Sequence, residues 1–173
     1  MTQELIDLRN SIMAGRYQEA LAIVDDLEWM SKKATLRNIK SYLVRMIAHL
    51  IKNQVEQRLT NSWTASIGYS VIEIQDLNLM DNKKSHYIKQ DEWDSFLENA
   101  FKDAILSASG EVYNGVYKPS QLLERVDKAQ IISIAKELLD LTYFHSESTL
   151  RDVIYEEFSQ LLGGEDWSLE RES

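Results

Sequence analysis

A chain of 173 residues with 44% hydrophobic and 27% charged side chains has the size and balance of one globular domain, which excludes a disordered or low-complexity protein. One proline and six glycines are too few for a sandwich or barrel, which needs a turn signal about every 8–12 residues, so the expected class is all-α. Without cysteine there are no disulfides, thiolate nucleophiles or cysteine-bound metals, and a net charge of −9 repels phosphate backbones and anionic lipid.

The charge is unevenly placed. Residues 1–30 hold two basic against six acidic side chains, 31–60 seven against one, 61–90 three against three, and the chain is acidic from 91 onward. One basic segment therefore sits in an acidic protein. Acids at Glu4 and Asp7, with no basic leader or apolar run, predict no signal peptide. No stretch reaches the ~18 apolar residues of a spanning helix, so neither membrane contact nor export is expected and the predicted location is cytoplasmic.

Leu5, Leu8 and Ile12 keep a helical period that Gly15 can end. A second helix follows with Tyr17, Ala20, Leu21, Val24 and Leu27 as its apolar stripe. Gly15 to Leu21 look like part of a tetratricopeptide repeat, but such arrays recur about every 34 residues and the matching position is His49. An isolated helical hairpin is the better reading. From Lys32 to about Arg58 no glycine or proline intervenes, and Leu36, Ile39, Leu43, Ile47 and Leu50 keep one face apolar. This is expected to be the longest helix and the central strut.

Ser62 is placed to cap a helix carrying Trp63, Ile67, Val71, Ile74 and Leu77. Asp81 to Ser85 read as a loop, and Asp91 with Asp94 as a capping-box-like start for the helix of Trp93, Phe96, Leu97, Ala100, Phe101, Ala104 and Ile105. Residues 112–118 alternate as a strand does, which reads as a loop with a short hairpin. Pro119-Ser120 open a short helix. Asp127 and Gln130 form a capping box ahead of Ile131, Ile134, Leu138 and Leu141, and a last helix runs from about Thr149 to Leu162, stopped by Gly163-Gly164. The expected architecture is an all-α, single-domain bundle of about six or seven helices over 1–164 with one long central helix, and a frayed acidic tail over 165–173.

Three segments resemble a known family. Val24 to Ser31, Tyr42 to Gln54 and Ser62 to Ile67 are similar to the family called domain of unknown function 29, common in cyanobacteria. The resemblance covers roughly residues 2–110 and implies a helical fold with no established activity. Its pattern falls on Glu28, His49, Leu50, Lys52, Gln54, Arg58, Ser62, Trp63 and Ile67. Asn53 departs from it where a tryptophan is usual, as do Thr64 and Gly68 in a stretch often rich in arginine.

Chemical signatures are sparse. None of His49, His86 and His145 has a carboxylate or second imidazole three or four positions away, the spacing that would place two metal ligands on one helix face. No metal or cofactor is expected, and His49 reads as a hydrogen-bonded residue beside the core. Acid pairs such as Asp25 with Glu28, Glu73 with Asp76, Glu137 with Asp140 and Asp152 with Glu156 fall on polar faces, where they are solvated charge rather than an acid/base pair. No phosphate loop or serine elbow occurs, so no catalytic residue is assigned. Trp63 and Trp93 begin apolar rows and read as core; Trp29 and Trp167 are the tryptophans placed for exposure.

The remaining candidate is the basic flank, with Lys33, Arg37, Lys40 and Arg58 as tentative binding residues and His49 on the opposite flank as a fifth. The expected function is non-enzymatic interaction with a protein, another copy included. Two alternatives use other features: a nucleic-acid-associated or nuclease-related role for the basic helix 32–58, and a small-molecule enzyme with a site between helices. The tail after Gly164 has few apolar residues, so a chain ending there should keep nearly the melting temperature of the parent in a thermal denaturation experiment.

Overall fold

The computed structural model describes residues 1–165. The tail expected over 165–173, Trp167 included, lies from Asp166 on outside the described residues. Among the described residues the chain forms seven α-helices and no strand, as an all-α sequence should. They divide into two compact units, Met1–Asn38 and the chain from Ile39 onward.

The first unit holds α1 (Gln3–Met13) and the first half of α2 (Tyr17–Glu56). Gly15, at φ +73°, makes the turn, a left-handed conformation that costs glycine little, and the Arg16 amide donates to the Ser11 carbonyl at 2.9 Å. Ser11 and Ala20 are the buried residues of this unit.

The sequence predicts one helix from Tyr17 and another from Lys32. The structure runs them together as a single helix of 40 residues. The expected break rested on a change in charge and stripe, which alters the face that is wet but not the backbone hydrogen bonding. Nothing between Gly15 and Gly68 removes a donor or frees the backbone, since neither glycine nor proline occurs there. The helix stops at Glu56, two residues before the expected Arg58, because Gln57 turns left-handed at φ +54°. Asn53 secures that end by donating from its amide to the carbonyls of Arg58 at 3.0 Å and Leu162 at 2.8 Å.

The second unit contains the core. Apart from Ala20, every buried apolar residue among those described lies at or after Ile39. Ile39, Leu43, Ile47 and Leu50 are the row the sequence selects, and Met46, Ala48, Ile51, Lys52 and Asn53 are buried as well. That closes nearly the whole circumference of α2 between Met46 and Asn53, so this part of the helix is the central strut. α3 (Asn61–Asn78) packs on α6 (Lys128–Phe144) and α7 (Glu147–Phe158), and α4 (Trp93–Ser109) packs on α5 (Pro119–Leu123) and α6.

Helix starts are where sequence and structure differ most. Thr60, not Ser62, caps α3, its hydroxyl accepting from the Trp63 amide at 3.1 Å. The Asp91 box does not form: Glu92 stands at the cap without a side-chain bond, and Asp94 pairs with Lys136 of α6 instead. The entry into α4 is set by tertiary bonds, since Asn78 binds both backbone groups of Ile88 and the Trp93 indole donates to the Tyr143 hydroxyl at 2.8 Å. Asp127 caps α6, accepting from the Gln130 amide at 3.1 Å. The other half of that box comes from α2: Gln54 Oε1 accepts from the Asp127 amide at 2.8 Å, and its amide nitrogen donates to Gln130 Oε1 at 2.9 Å.

Residues 112–118 form no hairpin. Val112–Asn114 make a 3₁₀ turn, with Tyr113, Asn114 and Gly115 all at positive φ, so the alternating pattern marks one buried residue, Val112, and not a strand face. α7 begins after Ser146 and ends at Phe158, earlier at both ends than expected. Gly163, at φ +73°, crosses the end of α2 so closely that a Cβ would stand 3.0 Å from the Leu59 amide nitrogen.

Trp63 is 9% exposed, with the Arg58 guanidinium 4.7 Å and the Lys52 ammonium 5.9 Å from its ring. Trp63→Ala should cost about 3–5 kcal/mol of stability, measured by chemical denaturation.

Candidate functional site

Each basic candidate finds a local environment of its own. In the first unit the Lys33 ammonium lies 4.9 Å from the Trp29 ring, a cation–π distance, and Arg37 is exposed. In the second unit Lys40 pairs with Asp103 of α4 at 3.0 Å, and Arg58 pairs with Glu56 at 3.1 Å while covering Trp63. The flank is thus shared between the two units, and two of its cations face carboxylates of their own chain.

His49 is part-buried and its Nδ1 has no hydrogen-bond partner. Burial, reinforced by the charges of Lys52 and Arg45, lowers its pKa to about 4. The ring is therefore neutral at pH 7 and adds no charge to a basic surface. Lys52, one turn on, is buried and forms an ion pair with Glu111. Desolvation lowers the Lys52 pKa, partly opposed by Glu56.

The family-pattern residues His49, Lys52, Gln54, Arg58 and Trp63 thus sit around the end of α2 as a packed corner. Lys52, Gln54 and Arg58 find polar partners there, while His49, expected to be hydrogen-bonded, has no partner at Nδ1. Sequence reasoning missed that Lys52 and Asn53 are inside the corner. A lysine and an asparagine on an amphipathic helix read as wet positions, and only the segments folded around α2 bury them.

Two of the concavities between helices gather aromatic or titratable side chains. A groove of about 530 Å³ between α3 and α7 is lined by Gly68, Tyr69, Ile72, Ile154, Tyr155 and Phe158. A cleft of about 450 Å³ brings His86 and His145 near Tyr143, Lys83, Asp76 and Glu147. The Tyr143 hydroxyl accepts from Trp93 and Asn78 and donates to the Ile88 carbonyl at 2.6 Å. Its hydrogen-bonding capacity is filled, and burial raises its pKa, so it holds the 79–92 loop in place and is not poised for proton transfer. Among the described residues no group of three or more histidines and acids is arranged to hold a metal ion.

The first unit carries a different kind of surface. Ile12, Met13, Tyr17, Leu21, Trp29 and Met30 are each half or more exposed, on a hairpin whose buried residues are only Ser11 and Ala20. The sequence pattern reads Leu21 as a core-facing position; the structure leaves it in solvent, because two helices can bury only the line along which they meet.

The profile of the family described as Domain of unknown function DUF29 matches residues 18–117, which contain most of α2, all of α3 and α4, and the corner. The chain belongs to that family. The match takes in Trp29 and the charged positions around it, so this part of the hairpin lies inside the family domain. No curated protein matches the chain, and no solved structure does. No helix among the described residues is long and apolar enough to cross a membrane.

The lowered His49 pKa has a pH consequence. The unfolded imidazole takes up a proton near pH 6.5 while the folded one resists until about 4, so the unfolded state binds more protons between these values. Its contribution is fully present above pH 6.5 and is lost as pH falls toward 4. Denaturation at pH 7 and pH 4.5 should show the parent losing about 1–2 kcal/mol more than His49→Gln, a figure discounted for the ring's partial exposure.

Proposed function

We propose that this chain is a non-enzymatic interaction module of the cytoplasm, in a cyanobacterial cell as the family resemblance implies, and that it binds protein through the exposed apolar side chains of its first unit. One observation carries this reading: large apolar side chains stand in solvent on a hairpin of under forty residues. A unit of that size is marginal without a disulfide, metal or association, and residues 1–38 contain neither cysteine nor histidine. Large apolar side chains left in solvent on so small a unit point to an interaction site.

Other features favour protein over nucleic acid. Apolar contact needs a partner with apolar surface, and the pairing of Lys40 with Asp103 reduces the positive field that phosphate would require. Tyr143 has no hydrogen bond to spare for chemistry, and no catalytic residue is proposed.

The test is capture from native lysate by tagged full-length chain, with mass spectrometry of what is retained. Comparison is with Leu21→Glu/Met30→Glu, two exposed positions where charge leaves the fold intact. Retention of specific protein, this chain included, should fall at least tenfold in the double variant. Equal retention by both, or none above background, would end the reading.

A further inference from the structure

We infer that the partner of this surface is a second copy of the chain, the two α2 helices pairing antiparallel about a twofold axis at Trp29. The inference rests on the interaction-module reading above and names its partner.

The first half of α2 is symmetric about Trp29 in position and opposite in charge. Asp25 and Asp26 stand four and three residues before it; Lys33 and Lys32 stand four and three after it. Ala22 and Leu36 lie seven residues away on either side. At about 100° per residue, all six fall within about 60° of the Trp29 direction. Ala20, one of the buried residues of the hairpin, points to the opposite side. The face that α1 leaves uncovered is therefore the one bearing the palindrome, and Trp29 at its centre is 62% exposed.

An antiparallel pair with its dyad at Trp29 brings each acid to a base. Asp25 of one copy runs along the same flank as Lys32 of the other, and Asp26 along the same flank as Lys33, each within about one residue's rise of 1.5 Å. Symmetry makes four opposed pairs. Ala22 of one copy meets Leu36 of the other, and the two tryptophans meet at the centre. A parallel, in-register pair would set Asp against Asp and Lys against Lys, which is destabilising. Exposed ion pairs contribute little each, so the tryptophan and its apolar neighbours supply burial while the charges select orientation and register. A patch that complements itself under a twofold rotation is what an isologous dimer interface requires. A different protein would have no need of this symmetry.

Sedimentation of the full-length chain should show a concentration-dependent dimer. Asp25→Lys/Asp26→Lys and Lys32→Asp/Lys33→Asp should each be monomeric with the helix content of the parent by circular dichroism, and their equimolar mixture should give a one-to-one dimer. The chain has no cysteine, so a mixture of Ala22→Cys and Leu36→Cys chains should form an interchain disulfide that neither forms alone. A parent that stays monomeric at the highest attainable concentration, or a dimer that both charge reversals leave intact, would overturn the inference. A monomeric parent whose capture of another protein still depends on Leu21 and Met30 would end the self-pairing alone; loss of that dependence as well would end the interaction reading with it.

Discussion

The second unit depends on how one helix is enclosed and how it is stopped. Between Met46 and Asn53, α2 is buried on nearly every side, so its polar groups there depend on neighbours and not on water. Of the buried side-chain polar atoms in this stretch, all but His49 Nδ1 find a partner. Lys52 finds Glu111, Asn53 finds the Leu162 carbonyl, and Gln54 takes over half of the α6 cap. Each bond joins the strut to a segment distant in sequence. An unpartnered polar group at these positions would carry a desolvation penalty of about 1–3 kcal/mol, so the bonds set the register of these segments against the strut. They pin the turn after α4, the start of α6 and the turn after α7 to the same two helical turns.

The same enclosure holds the titratable side chains of this region in fixed environments. An imidazole between two cations in a part-buried site stays neutral, and an arginine lying over an indole with a carboxylate beside it is held in place. These residues carry reactive groups in an arrangement suited to rigidity. The first unit offers the contrast, with few buried groups and many apolar ones in solvent.

Charge has a different role in each unit. From Ile39 on, bases of α2 and α6 pair with acids of α4, as Lys40 does with Asp103 and Lys136 with Asp94. These exposed pairs add little stability but disfavour wrong helix neighbours. In the first unit, acids and bases follow one another along a single helix face, where they can complement another molecule as readily as their own chain.

The sequence alone determined the helical class, the apolar rows and most of the core. Leu43, Ile47, Ile67, Val71, Ile74, Leu97, Phe101 and Leu138 are read from a 3.6-residue period and are buried, because a helix has only one way to hide a stripe. Helix existence is a local property; helix ends were less legible. Thr60 and Ser62 are both able to cap α3, Asp91 and Gln54 compete with alternatives beyond any local window, and Gln57 ends α2 without the glycine that would announce it. Tertiary structure alone decided which polar residues go inside, since burial of Lys52 and Asn53 needs segments more than fifty residues away. It also decided which apolar residues stay outside: Tyr17, Leu21 and Val24 have the periodicity of a core, and a two-helix hairpin has too few surfaces to cover them.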